Sequence, residues 1–593
     1  MGDMVRASVL IAIIVASFTT TSVASTYYVA KWGDNDDDGS FDFPWLTTGR
    51  AAGVMVAGDT VFIREGIYRE SVNPSNSGIS GDPIVYESYQ NEEVIVEGYE
   101  EITGWVQDAG KRYSAEVNFV PGPRFTTTRD PRGNYGGLVL QDGAKMRYAM
   151  SPSQADVDSA GEYYMDDSGS PPFTMYVYVR DLGSGYDPDN YVMQVGRYRK
   201  LFDLDGGEDY IHVIGLTLRG ANDNAIHSIG SSYCVFRRIA TYSNFITGIY
   251  LTSFSRFGVI EQCEFWDNGH GGIELARAHS TTIKRNKFTR VDLGNGFGGN
   301  GAHMWLGPLT QYTDSCIIEN NIGFRTGSDY SDIAFVAIRG EYNIVRHNSF
   351  LDWGLGGIAL IYGGSNTVIN NAVNCTRGVA CINVFPDAVT AGGHFIQYND
   401  FYAEDPTGKY IWDGVAYDSL ADWEAASGQS NNIDSIPLWV DPAGEDLYLQ
   451  QGSDCIDAGT DVNPSSEDYE GTPRPQGSGY DIGAYEYVET GVAESRDRVL
   501  SRSSLSLRCY PNPCAAEVTI SYHIQTESRV VLEIYDITGR LVETFTPGRQ
   551  SPGNHVVSWR GDDDFGTNCS SGIYFCKLKT GRNSVTQKLV LVD

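Results

Sequence analysis

A phrase that returns about every two dozen residues between Asp209 and Phe401 constrains this chain more than any other feature. It reads as an apolar residue, two variable residues, a ladder residue, one more variable residue and usually another apolar one. The copies are VIGLTL, FRRIAT, IEQCEF, IKRNKF, IIENNI, VRHNSF, VINNAV and IQYNDF. The ladder residues are Leu216, Ile239, Cys263, Asn286, Asn320, Asn348, Asn371 and Asn399, at spacings of 23, 24, 23, 34, 28, 23 and 28. Ten residues after the ladder, the short coils place Ile226, Ile249, Ile273 and Ile358. A fixed period of this length means a solenoid. The apolar runs are short, rich in Ile, Val and Phe, and broken by Gly and Asn. They are strands rather than helices. Stacked coils of short strands make a parallel β-helix. Asn at one turn in five coils then finds an amide neighbour about 4.8 Å away.

With 593 residues the chain exceeds one compact core. Its 67 Gly and 37 Tyr suit a turn-rich all-β protein. A formal charge of −33 argues against nucleic acid or an anionic membrane as partner. It leaves room for an acidic polysaccharide held in a local basic cleft. Val9 to Phe18 form an apolar run behind Arg6, followed by small residues ending SVAS, so residues 1–25 read as a secretory signal peptide. No later stretch is long and apolar enough to span a bilayer. Export makes the ten cysteines potential disulfide partners, while Cys234 and Cys263 can equally be buried thiols.

Residues 26–100 open with an acidic turn and the first coils. Asp34, Asp36 and Asp38 before Gly39 fit the first half of a Ca2+ loop, or a solvated turn. The twelfth position is Trp45, so no EF-hand is expected. Pro44 to Val56 can form a short helix over the open end of the solenoid. The stretch YYVAKWGDNDDDGS…PWLT…AGDTVFIREGIYRE resembles the start of secreted right-handed parallel β-helix proteins related to polysaccharide lyases. LVLQDGAKMRYAM and SDCIDAGT…GTPRPQGSGYDIGAYEY are similar to later phrases of the same proteins. The resemblance covers residues 26–487 and implies the fold; its members include lyases, hydrolases, epimerases and binding proteins.

Residues 101–200 break the period with alternating stretches such as FTMYVYVRD. They read as an antiparallel insert, either structural or a wall of a substrate groove. The main helix and its closing segment occupy 201–487. Residues 488–503 lose apolar pattern and form a linker. In 504–593, six or seven alternating strands make an immunoglobulin-like sandwich. YPNP, YDITGRLV, SGIYF and KLVLV resemble the C-terminal sorting domains of the type IX secretion system and the related flagellar hook-capping fold. That likeness implies passage across an outer membrane through the secretion machinery, with release or surface attachment.

Two neighbouring coils carry six extra residues at one turn, counted from Asn286 to Ala302 and from Asn320 to Val336. Stacking sets these loops beside the following strand. Alternation in that strand points His227, Tyr250, Glu274, His303 and Ala337 outward, with Trp305 and Arg339 one step further. A solvated sheet face does not need such a column, although it can be no more than that. For β-elimination on a uronate polymer, His303 and Tyr250 are the candidate base and acid, with Arg339 or Arg277 on the carboxylate. For hydrolysis, Glu274 needs a second carboxyl, with Asp292, Asp329 and Asp332 as candidates. His227, Arg277, Trp305, Arg325 and Tyr330 are the candidate sugar contacts. A third reading is a glycan-binding surface adhesin without chemistry. The expectation is a secreted, monomeric, carbohydrate-active β-helix that cleaves an acidic polysaccharide by β-elimination, with Ca2+ as its candidate cofactor.

Overall fold

Three parallel sheets run the length of the main unit in a computed structural model of the chain. The structure describes residues 24–289 apart from 120–138, 143, 146, 149–156, 158–159, 167–171 and 182–183. It continues through 302–307, 311–325, 334–352, 356–375, 380–403 and 409–489. In the second unit it describes 505–510, 518–524, 528–536, 540–550, 553–562, 569, 572–580 and 583–591. The signal-peptide run, most of the 488–503 linker, Asp292, Asp329, Asp332 and Tyr330 lie outside the described residues. The chain divides into two compact units, Met1–Glu489 and Thr490–Asp593.

Each coil gives one strand to each sheet. In one coil, Ile211–Ile214 lies in the first sheet, Leu216–Arg219 in the second and Ile226–Ile229 in the third. The corner between the first two sheets is a single residue in the left-handed region. Gly215, Arg238, Gln262, Arg285, Asn320, His347, Asn370 and Tyr398 all have φ between 51° and 73° there. One left-handed residue bends the chain sharply enough to join two short strands without a loop. The next residue starts the ladder. Asn320 is therefore a corner, and the ladder passes through its neighbour Asn321. This corrects the expected position: two adjacent asparagines made the register ambiguous in the sequence.

The ladder is continuous from Cys263 to Asn432. Asn321 Oδ1 accepts the backbone N–H of Asn286 at 3.0 Å and its Nδ2 at 2.9 Å. The Asn321 Nδ2 donates in turn to the Ile283 carbonyl and to Asn348 Oδ1, both at 2.9 Å. Asn348, Asn371, Asn399 and Asn432 repeat the pattern. All but Asn432 are at most 2 % exposed. Such groups must be paired, because a buried amide without partners costs about 1–3 kcal/mol. Asn348→Ala is expected to destabilise the solenoid by about 2–3 kcal/mol, since it orphans the N–H of Asn321 and the Nδ2 above it. Chemical denaturation against wild type measures this.

One apolar interior fills the coils from Val29 to Trp423. It contains aromatic stacks such as Phe265 on Phe288 at 4.9 Å and Phe335 on Phe350 at 4.2 Å. Cys234, Cys263 and Cys316 are thiols of this interior, and burial pushes each up to about 12. Helix Thr48–Ala52, shorter than the expected Pro44 to Val56, covers the first coil beneath Trp45. Thr47 caps it by accepting the Arg50 N–H at 3.2 Å. Helix Leu420–Ser427 covers the last coil with the fully buried Trp423 against Phe401, Tyr410 and Trp412.

The insert is a two-layer sandwich. A four-stranded sheet (Tyr99–Glu101, Val139–Gln141, Ala144–Lys145, Met193–Gly196) faces a five-stranded one across a shared core of Val117, Met175, Val177, Met193 and Val195. Tyr99 and Leu140 pack on Phe245 of the solenoid, and the Tyr99 hydroxyl donates to the Ser243 carbonyl at 3.1 Å. The second unit pairs a three-stranded sheet with a four-stranded one around Ile520, Leu532, Ile534, Trp559 and Leu578.

Candidate functional site

The outward face of the third sheet carries the chemistry. Its register fixes one inward column of Phe202, Ile226, Ile249, Ile273, Met304 and Val336. The next residue of each coil is Asp203, His227, Tyr250, Glu274, Trp305 and Ala337. The structure thus brings together His227, Tyr250 and Glu274, and extends the column backwards to Asp203. Asp203 was not legible by that counting, because its coil has its ladder position at Val94 and the insert separates the two.

His303 is not in the column. The strand Ala302–Leu306 aligns Met304, not Ala302, with Ile273. Asn286 and Met304 are eighteen residues apart, and Asn321 and Val336 fifteen, against ten in the coil of Cys263 and Ile273. The excess is unequal in the two coils, so counting across it misplaced the anchor. His303 stands one residue before the anchor, inside the strand Ala302–Leu306. Earlier coils have Gly248 and Gly272 there, and a Cβ on Gly272 would lie 2.6 Å from the Phe288 ring. In the coil of Met304 this position holds the His303 ring, stacked on Phe335 at 4.3 Å and edge-on to Phe288 at 6.0 Å. It is 4 % exposed. His303→Ala is expected to cost about 3 kcal/mol through the cavity it leaves, rather than to act on catalysis. A shift in the denaturation midpoint checks this.

Trp305 takes the column position expected for His303. It is buried, beside Ala334, Ala337, Ala359 and Ile361. Arg339 lies two residues past Ala337, where the pairing with Tyr362 shifts register. Arg277 is an exposed corner residue with φ 59°, outside the column. Arg325 ends a strand of the second sheet, paired with Asp352, so it is not on the column's sheet.

Around the column are groups that the repeat did not mark. Lys200 Nζ lies 3.1 Å from Asp203 Oδ1 and also contacts Asp205. His227 Nδ1 is 2.7 Å from Asp205 Oδ1. That contact lies off the ring N–H direction, so it is a close approach rather than a hydrogen bond. Arg199 pairs with the buried Asp223 at 3.0 Å. The His227 ring stacks on Tyr250 with centroids 5.1 Å apart and planes 2° from parallel. Glu274 accepts from Thr247 Oγ1 at 3.4 Å and meets His270 Nδ1 at 3.3 Å. His270 stacks on Trp305 at 5.5 Å. Lys200, Asp205, Asp223 and His270 sit in turns, where no period predicts which side chains converge.

Burial dominates the electrostatics. It lowers His227 to about 4, helped by Lys200, so the imidazole is neutral at neutral pH. It raises Tyr250 to about 12, helped by Glu274 and Asp223, so the phenol keeps its proton. It also raises the carboxyls of Asp203 and Asp223, opposed by Lys200 and Arg199 respectively.

Among the described residues, Asp203, Asp205 and His227 form a group with ligand atoms within 4.8 Å of one another. The Lys200 ammonium already sits on its two carboxylates. Asp34, Asp36 and Asp38 do not form such a group among the described residues. Asp34 and Asp38 each accept a backbone N–H two residues on, at 3.0 and 2.9 Å, as local turns do.

Two family models match parts of the chain. The model described as "Right handed beta helix region" matches residues 204–387, and that described as "Secretion system C-terminal sorting domain" matches 508–592. The chain is a right-handed β-helix protein with a C-terminal sorting domain. The sorting domain marks this β-helix protein for secretion and the cell surface. No helix among its described residues is long and apolar enough to cross a membrane. It is 24% identical over 460 residues to Bacillus subtilis (strain 168) uncharacterized protein YwoF, covering 72% of this chain and 91% of that one. It is 27% identical over 132 residues to Emericella nidulans pectate lyase PEL9, covering 19% and 32%. Among solved structures, XylC with xylose is similar with TM-score 0.46 and 15% identity, covering 90% of this β-helix protein and all of that chain. Pectate lyase Pel9A is similar with TM-score 0.38 and 15% identity, covering 78% and 97%.

Proposed function

We propose that this protein is a carbohydrate-active enzyme that hydrolyses a glycan in the groove along the Asp203–Glu274 column. One observation carries the reading. The coils of Asp223 and Glu274 lie on either side of the coil of Tyr250, whose hydroxyl both negative groups help burial to raise. Their coils are two strand spacings apart, about 10 Å. Inverting glycosidases hold their two carboxyls about 6.5–9.5 Å apart, with room for a water. Asp223, whose carboxyl burial raises against the opposing Arg199, is the proton donor to the leaving oxygen. Glu274, oriented by Thr247 and His270, is the base for water. Tyr250, neutral, donates a hydrogen bond to the sugar between them.

The charge of the site ranks hydrolysis above the β-elimination expected from the sequence. Among the described residues of the column and its flanking turns, Asp203, Asp205, Asp223 and Glu274 stand against Lys200 and Arg199, and each cation is paired with an acidic side chain. A uronate would enter an acidic pocket. Elimination has one specific observation in its favour, the neutral His227 stacked on a protonated Tyr250, which are a base and an acid side by side.

Incubation with neutral and uronate polysaccharides decides among the readings. New reducing ends without ultraviolet absorbance support hydrolysis. Absorbance from unsaturated ends replaces it by elimination. Retention on a glycan without cleavage replaces both by binding alone.

A further inference from the structure

We propose that the outer face of the five-stranded insert sheet binds a neutral polysaccharide strand, as a second surface separate from the groove. The sheet comprises Arg147–Tyr148, Glu162–Asp166, Phe173–Tyr178, Arg112–Val117 and Val106–Ala109, in that order. Its inner side chains, among them Phe173, Met175 and Val177, fill the sandwich core. The alternate residues Thr174, Tyr176 and Tyr178 point the other way and are half-buried.

The register lines these residues up across the sheet. Tyr164, Tyr176, Ser114 and Val106 form one row, and Asp166, Thr174 and Glu116 the next. Tyr164 and Tyr176 rings stand 6.2 Å apart and 22° from parallel. Tyr178 follows Tyr176 on the same strand at about 6.8 Å, and Tyr186 packs edge-on to it at 5.8 Å. Lys111 sits 3.5 Å from the Tyr186 ring centre, and Arg112 lies over Tyr176.

Three features select the ligand. Three phenols on one face, Tyr164, Tyr176 and Tyr178, give amphipathic, low-entropy contact area. The polar groups between them, Ser114, Thr174, Asp108, Glu116, Asp166, Lys111 and Arg112, are closely spaced donors and acceptors, as a polyhydroxylated chain requires. Val106 at the edge is the one aliphatic side chain in these rows, whereas a protein partner would want an apolar centre. Asp108, Glu116, Asp166 and Glu162 outnumber Lys111 and Arg112 on the face, and this acidity, with the chain's −33, repels a polyanion. The match is to an uncharged glycan.

The test is retention of the full chain on insoluble xylan, cellulose, mannan and chitin, with a polygalacturonate gel as the anionic control. Wild type should be retained by at least one neutral matrix. The triple variant Tyr164→Ala, Tyr176→Ala, Tyr178→Ala should lose affinity roughly tenfold or more, and Glu274→Gln should be retained like wild type. Tyr176→Ala alone gives the same reading if the triple variant misfolds. The proposal is overturned if wild type passes every neutral matrix, if polygalacturonate alone retains it, or if folded tyrosine variants bind like wild type. Binding lost in Glu274→Gln but kept in the tyrosine variants would place the contact in the groove instead. A protein that binds but cleaves nothing overturns the hydrolytic reading and leaves this surface standing.

Discussion

Glu274→Gln should lower glycan cleavage by about a hundredfold or more while leaving thermal unfolding unchanged. The loss is that of a general base, typically 10²–10⁴-fold. The side chain faces the groove and is only partly buried, so an amide of equal volume opens no cavity. Asp223→Asn should cause a loss of similar order. The double variant should fall little below the worse single one, because residues acting as a unit do not add. His227→Gln separates the chemistries. In hydrolysis it perturbs the site modestly through the Tyr250 stack. In elimination it removes the base and should match Glu274→Gln or exceed it. Wild-type turnover by a normally melting Glu274→Gln would show that the reaction is elsewhere.

The largest stability effect is expected from Glu486→Ala, about 3–5 kcal/mol. Arg474 Nη1 meets Glu486 Oε2 at 2.6 Å, and both side chains are 0% exposed. The pair sits in the segment that folds back along the solenoid after its last coil. Arg474 also donates to the Gly483 carbonyl at 2.8 Å, while Glu486 accepts the Gln476 N–H at 2.9 Å. Removing one ion strands the other without water, which costs far more than the pair contributes. The segment holds several coils at once. Thr460 N–H donates to Asn370 Oδ1 at 2.8 Å, Asn320 Nδ2 to Ser465 Oγ at 2.8 Å and Ala484 N–H to Ser349 Oγ at 2.9 Å. Its loosening should therefore lower the denaturation midpoint of the whole helix. Arg474→Met with Glu486→Leu should be far milder, since it removes both charges and keeps the volume. A single variant no worse than one at the surface pair Arg238–Glu87 would refute the account.

Tyr250 and Glu274 were legible because ten residues separate ladder and anchor in their coils, and a period of two then fixes the outward face. His303 was misassigned by the same arithmetic, carried across a turn of unequal length. Asn320 was misassigned because either of two asparagines satisfies the repeat, while only one backbone can be left-handed at the corner.

The sequence by itself determined the β-helix, the helix over its first coil and the sorting sandwich, since each rests on local patterns that the backbone must obey. Where the Asp223, Lys200 and Asp205 side chains meet the column was decided only by the tertiary structure. They come from turns, whose residues carry no period, and stacking alone brings them within reach of Tyr250 and His227. Burial likewise exists only in the folded state, and it is burial that keeps His227 neutral and Tyr250 protonated.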